Sequence, residues 1–519
     1  MIFLCTKPRS PRRRGLVLIV ITILLMLISL GTMGLVTMIQ TEYRAAKLRG
    51  SEVELENTAA AGRDYLGALA TQSRASQATL GGLSENRDLF LNRAVSVDSN
   101  PDNELRFSIT PAGIPGGPDA NQIGPVNESS KLHLGQLLIW DKEYPGSGVQ
   151  ALMNLPGMTT EVADSILDWI DADSTPRSSG AEADRYSSLG LDYQPRNALP
   201  PVLEELLLVP GVTPERLLGE TSPEESPQTR RNRKSAIPSN SNKSSNFGSG
   251  KTRPWRDFLT VSSRERNENQ QGQPRVWLNQ PDLVELHQQL TDRIGANWAD
   301  YVIAFRQFGP YRGRRGTTID TWQPDLNQPA RFSFTSELEL IGTRVPVVRE
   351  NRSTKTVDSP LPAERVGWAG TLSRILDEVT LQETPFLVGR VNIELAPREV
   401  LIGIPGMDVV MVDRILSSRT LSADGSRTHA HPAWLLEQNI VELNLMTKLL
   451  PSLTTGGDVW SGEITAFASD YPQVIRDEFM IDAGSFPPRQ LYCKDLRDRP
   501  LPEPNQTTRL PGAEKTRAK

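Results

Sequence analysis

The chain has 519 residues, 38% of them hydrophobic, with 57 Lys and Arg against 62 Asp and Glu and a formal net charge of −5. That length has room for three or four domains of about 100 to 200 residues each, and an acidic balance argues against nucleic acid as the general partner. With only two cysteines, Cys5 and Cys493, the sequence excludes a disulfide-stapled scaffold.

Leu16 to Met38, LVLIVITILLMLISLGTMGLVTM, is an uncharged run of 23 residues. As a helix rising about 1.5 Å per residue it is roughly 34 Å long, enough to cross a hydrocarbon core of about 30 Å with some tilt. The preceding leader, MIFLCTKPRSPRRRG, carries Lys7, Arg9, Arg12, Arg13 and Arg14 without an acid, whereas the far flank mixes Glu42, Arg44, Lys47, Arg49, Glu52 and Glu54. Positive charge then holds the N-terminus in the cytoplasm and places the bulk of the chain outside. A cleaved secretory signal has an apolar core of about 7 to 15 residues before a small-residue cleavage site. This run is longer and continues into a helical pattern, so a plain signal anchor is the stronger alternative. Loss of the leader's five positive charges takes the net charge from −5 to −10 and leaves Cys493 without an internal partner.

A short basic leader, then Gly15, then an unbroken apolar helix resembles the prepilin signal. The resemblance implies cytoplasmic-side cleavage after Gly15 by a prepilin peptidase, with Leu16 as the new, methylated N-terminus of a retained helix. The fifth mature position departs from the pilin pattern, being Val20 in place of glutamate. In pilins that carboxylate pairs with the terminal amine of the subunit ahead, and an unpaired one is expensive in a membrane. Its absence points to a tip position, with no subunit ahead.

Ile39 to about Ala75 is alanine-rich, with Leu48, Val53, Leu55, Ala59, Leu66 and Leu69 among charges and no proline, which predicts a continuous helix. Glu104 to Thr110 reads as a strand and PAGIPGGPDAN beyond it as turns. Three segments repeat a basic and apolar alternation, Lys131 to Leu134, Arg275 to Asn279 and Arg390 to Ile393, each before a helical pattern. Ala151 to Ile170 and Val400 to Arg419 read as pairs of short helices joined at a Pro-Gly turn, capped in the first pair by Thr159 or Thr160. Leu206 to Leu218 is a shorter hairpin of the same kind, and Leu283 to Arg306 a helical pair without Pro-Gly. These units resemble the helix-hairpin-helix module, SAM-like in class and best known from DNA-binding proteins. The nucleic-acid version has a second glycine two positions on, where this chain has Thr159, Thr213 and Asp408. Plain packing is the stronger reading.

DWIDADSTPRSSGAEAD, Asp168 to Asp184, brings Asp171, Asp173, Glu182 and Asp184 to one loop with Pro176 and Gly180. Calcium takes about six to eight oxygens in flexible geometry, and the set suits it. It is not an EF-hand, because the spacing stops after Asp173; a solvated acidic loop is the competing reading. Glu220 to Arg253, with Arg230, Arg231, Arg233 and Lys234, is low-complexity and too polar to fold. Tyr311 to Ala330 and Asn351 to Ala363 read as loops. Gly462 to Ala468, Val474 to Ile481 and Arg489 to Leu496 alternate as antiparallel strands.

LPGMTTEVADSILDWIDADSTPRSSGAEADRY, NALPPVLEELLLVPGVTPERLL, PWRDFLTVSSRERN with GQPRVWLN, and GRVNIELAPREVLIGIPGM, in that order, resemble the general secretion pathway protein K family, the large minor pseudopilin of type II secretion systems. The resemblance implies an α+β fold: an N-terminal transmembrane, pilin-like helix, a small antiparallel sheet and a large inserted helical domain. The chain then divides into leader 1–15, transmembrane helix 16–38, helix continuation 39–80, first strands 100–134, inserted domain 135–386 with disordered insertion 220–253, a C-terminal helix-hairpin-helix unit 387–450, closing strands 451–496 and a disordered tail 497–519. It also implies calcium at Asp171, Asp173, Glu182 and Asp184, an inner-membrane single-pass location with a periplasmic bulk, and a cap at the pseudopilus tip. Its partners would be other minor pseudopilins, the major pseudopilin, the prepilin peptidase, and secreted substrates or the outer-membrane channel. The competing function is a membrane-anchored DNA-binding protein of an uptake machine.

No HExxH, GxSxG, phosphate loop or CxxC occurs. His429 and His431 in RTHAHPAW read as a loop pair before a metal pair, and Ser147, between Gly146 and Gly148, as a turn residue. The expectation is a protein without enzyme activity.

Overall fold

The computed structural model describes residues 14–95, 104–112, 122–219, 253–313, 317–319, 322–350, 353–365, 367–419, 429–468, 471 and 473–497. The leader up to residue 13, nearly all of the 220–253 segment and the tail beyond residue 497 lie outside them. The apolar run and its continuation form one helix, α1, Arg14–Ala70, of 57 residues, about 86 Å long at helical rise. Its aliphatic stretch from Val17 to Ile39 is exposed along its length, and it is the one helix among the described residues long and apolar enough to span a membrane.

From Ser51 onward α1 lies on the body and buries a narrow stripe, with Leu55, Ala59, Leu66 and Ala70 fully covered. Gly62 lies in the middle of that stripe, where a Cβ would come 2.4 Å from Ile464 Cδ1 and 2.9 Å from the Phe107 ring. The helix and the sheet meet there closer than any side chain allows. Helix α1 stops at Ala70, short of the expected end, where Arg266 donates to the carbonyls of Ala70 and of the two residues beyond it, Thr71 and Gln72. Ser73 then accepts from the Ser76 amide and starts a separate helix, Arg74–Thr79.

The sheet under α1 is antiparallel, ordered Arg93–Ala94, Leu105–Thr110, Val459–Ala468, Ile475–Asp482, Arg489–Asp495. Its central strand comes from the C-terminal part of the chain: Ile464 is registered on Ile109 and Thr465 on both Ser108 and Arg476. A short strand, Val126–Asn127, also pairs with it, Asn127 opposite Trp460, and the Asn127 amide donates to the Gly457 carbonyl at 3.0 Å. Residues 128–458 thus leave and re-enter the sheet at adjacent points. They build a second hydrophobic core, separate from the one that α1 shares with the sheet.

Within that inserted body each basic and apolar repeat supplies a two-residue strand in a parallel pair: Leu132–His133 with Leu259–Thr260, Val276–Trp277 with Val379–Thr380, and Val391–Asn392 with Leu453–Thr454. Short helices follow, among them α2, Leu134–Glu143; α3, Ser147–Met153; and α4, Thr160–Ile170. The segment 351–363, expected to be a loop, contains the strand Ser353–Asp358, antiparallel to Arg344–Glu350. Its six residues, STKTVD, include one apolar side chain, Val357, too few to give the apolar alternation that signals a strand.

Replacing Gly62 by valine forces α1 off the sheet. We expect a loss of about 1 to 3 kcal/mol, the usual cost of overpacking, read as a lowered midpoint in urea unfolding, with Gly62→Ala between valine and the parent.

Candidate functional site

The acidic loop is fixed from below by α4, whose first turn is capped by Thr159 accepting from the Val162 amide. Asp164 and Asp168, one turn apart on α4, are both buried, and each holds the loop by its backbone: Asp164 accepts from the Ser179 amide at 2.9 Å and Asp168 from the Arg177 amide. At Gly180 a Cβ would stand 1.9 Å from Asp168 Oδ2, so this position must be glycine for the loop to close on the carboxylate. Trp169 and Tyr186, 5.8 Å apart between ring centroids, form the apolar floor.

Asp168 and Asp171 stand at the C-terminal end of α4, Asp171 as its cap. Carboxylates there face the negative end of the helix dipole, so the arrangement demands a cation. Arg177 answers part of that demand. Its Nη1 donates to Asp171 Oδ2 and, at 2.9 Å, to Asp168 Oδ1, and its Nη2 to Asp141 Oδ2 at 3.3 Å. Asp141, on α2, also accepts from the Gly146 and Gly148 amides. Burial raises the Asp168 and Asp171 carboxyls above the usual range despite Arg177. Glu182 is raised by burial and then by repulsion from Asp168, Asp171 and Asp173.

Around this loop Asp171 Oδ1, Glu182 Oε1, Asn197 Oδ1 and the Tyr186 hydroxyl are buried without a hydrogen-bond partner within the chain. Asn197 is tied in by its amide, which donates to the Asp173 carbonyl and Ser174 Oγ. An all-oxygen set with unsatisfied acceptors suits a hard cation such as calcium. Among the described residues no three His, Cys, Asp or Glu side chains converge as a ready metal centre; Asp168 and Asp171 converge on Arg177. Of the four residues predicted as ligands, Asp171 and Glu182 lie in this cluster, Asp173 is exposed at its rim with Oδ1 accepting from the Thr175 amide, and Asp184 is exposed in the first turn of the helix Ala183–Ser188. Asp168, Arg177 and Asp141 were not singled out from the sequence. The i, i+4 spacing of Asp164 and Asp168 on a strongly amphipathic helix was the available signal.

The other candidate positions fall elsewhere. Gly15 and Leu16 lie within α1, and Val20 is 55% exposed on it. At the hairpins, Thr159, Thr213 and Asp408 accept from the Val162, Arg216 and Met411 amides. The side chains in place of the second glycine are helix caps that occupy backbone donors a phosphate would need. Ser147 opens α3 and is buried. His429 and His431 do not face one site: His429 stacks on Trp434 at 4.1 Å with Nδ1 3.2 Å from Glu394, while His431 is buried and its Nδ1 accepts from the Ala433 amide.

The family model described as Type II secretion system (T2SS), protein K matches residues 139–218, which hold the whole acidic loop and the first two hairpins. No curated protein sequence matches the chain. Among solved structures, a chain from "The Crystal Structure of the GspK-GspI-GspJ complex from enterotoxigenic Escherichia coli Type 2 Secretion System" aligns with 87% of this chain and 99% of its own at 10% identity, with a TM-score of 0.32.

His431 gives a pH test of the inserted body. Burial, with Arg275 and Arg390 nearby, holds its imidazole well below the ordinary value. The unfolded chain therefore takes up a proton that the folded one refuses, and stability is full above about pH 6.5 and falls as pH drops below it. Urea midpoints between pH 7.5 and 5.5 should decline in the parent and decline less in His431→Gln.

Proposed function

We propose that this chain is a type II secretion system protein K, the minor pseudopilin at the tip of a short periplasmic fibre, and that it takes part in export of folded proteins across the outer membrane. The observation that carries the reading is the protein K match at residues 139–218, which covers the acidic loop of a body joined to a membrane-length helix. Leader removal after Gly15 frees Leu16, and α1 passes from the bilayer into the fibre, exchanging lipid contact for helix packing. Val20, uncharged at the fifth mature position, fits a subunit that has no amine ahead of it to pair with.

The inserted body, 128–458, is the cap, too broad for a further subunit to be added beyond it. Two smaller minor pseudopilins and the major pseudopilin are its partners, and secreted proteins or the outer-membrane channel meet its far surface. The protein sits in the inner membrane with its bulk in the periplasm. The acidic loop holds calcium through Asp171, Asp173 and Glu182, with Asn197 as a further oxygen donor. The ion would supply the charge that the end of α4 lacks and fix the loop between α4 and the Ala183–Ser188 helix.

Mass spectrometry of the natural protein tests the processing step: the mature chain should begin at Leu16, and a chain that still begins at Met1 or lacks 16–38 overturns the reading. Deleting the protein should leave exoproteins in the periplasm with the envelope intact. For the ion, thermal unfolding of the full-length protein should move upward with calcium relative to chelator. Linkage gives about 2.7 kcal/mol at free calcium 100 times the dissociation constant, and Asp171→Asn with Asp173→Asn should abolish the shift.

A further inference from the structure

We propose that Arg177 is a tethered competitor of the divalent ion: its guanidinium occupies Asp171 and Asp168 in the metal-free loop and leaves Asp171 when the ion binds. This rests on the calcium reading of the same loop. Three features of the geometry carry it. The first is the charge balance. Asp168, Asp171, Asp173 and Glu182 act on one another, and Arg177 is the cation hydrogen-bonded among them. One guanidinium leaves most of that charge uncompensated, so a dication still gains by entering.

The second is where the bonds fall. Arg177 satisfies Asp171 Oδ2 and leaves Asp171 Oδ1 and Glu182 Oε1 buried without partners. Glu182 is only 7% exposed, so bulk solvent reaches it little. An ion seated on those two oxygens shares Asp171 with a second positive charge, and like charges on one carboxylate repel. The third is the exit. The Arg177 side chain is 22% exposed and already reaches Asp141 on α2, whereas Asp168 is fully covered. Of the pair Arg177 and Asp168, it is the arginine that can move. Because Arg177 lies within the loop it guards, six residues after Asp171, its displacement also changes what restrains α2 through Asp141.

The role predicts the opposite sign from a structural one. A residue that merely shapes the site weakens binding when it is lost, but a competitor strengthens it. Calcium chloride titrated calorimetrically into full-length protein in detergent should bind Arg177→Gln at least 10-fold more tightly than the parent. Arg177→Lys keeps the charge but cannot bridge two carboxylates, and should bind a few-fold more tightly; it carries the test alone if the glutamine variant does not fold. Equal or weaker binding by the folded variants, with clear binding by the parent, overturns the competitor role and leaves the calcium reading standing. No binding by parent or variants overturns both.

Discussion

Glu265 is the point at which the inserted body holds the helix that follows α1. It is buried on the strand Arg264–Arg266, accepts from the Thr454 hydroxyl at 2.6 Å, and lies 3.1 Å from Arg74 and 3.8 Å from Arg390. Burial pushes its carboxyl up, yet Arg74, Arg390 and Arg275 outweigh that and hold it below the usual range. Alternation along the strand sends its neighbours to the other face. There Arg264 pairs with Asp482 of the sheet, and Arg266 pairs with Asp458 while covering the carbonyls at the end of α1. Three consecutive residues thus fasten helix, sheet and insert to one another. Buried pairs of this kind add little net stability over apolar packing, but losing one partner costs about 3 to 5 kcal/mol because a charge is stranded. What they fix is orientation.

The long-range frame was legible wherever apolar pattern carried it. The 23-residue run, the strand at 104–110 and the three closing strands all show a period that a single segment can display. Helix-pair signals were equally local: Thr159 caps α4 as its position before an apolar repeat suggests. What the sequence could not display is partnership across distance. Nothing near Arg266 announces that it meets the end of α1, and nothing near Asp141 announces Arg177, because each contact joins residues far apart in the chain. The ligand set was legible only as composition. Asp184 is a carboxylate in the same neighbourhood as Glu182, but Glu182, the N-cap, is buried, and Asp184, two residues on in the first turn, is in solvent.

The Pro-Gly hairpins show how one local pattern serves a different end from the one its likeness suggests. In each, the residue two places after the glycine turns its oxygen onto the first turn of the next helix. A cap of this kind is worth about 1 kcal/mol and costs no ligand. The helices it starts then bury their apolar faces: Val162, Ile166 and Ile170 in α4, Val412 and Ile415 in the helix Val409–Ser418. Packing accounts for the motif without any phosphate.

The distance between α1's two environments constrains how the molecule works. The apolar run ends at Met38 and the body first engages the helix at Ser51, whose hydroxyl donates to Gln473 Oε1 at 3.1 Å. Those 13 residues span about 20 Å at helical rise, with Tyr43 71% and Leu48 49% exposed. A stalk of that length, helical and without proline or a glycine pair, transmits axial displacement stiffly. Beyond it, α1 meets the sheet at Gly62 and the insert through Arg266 at Ala70, contacts eight residues, about two turns, apart on the same helix. Pulling on α1 therefore moves sheet and insert together, and the acidic loop, anchored on α4 within the insert, is carried along as part of one body.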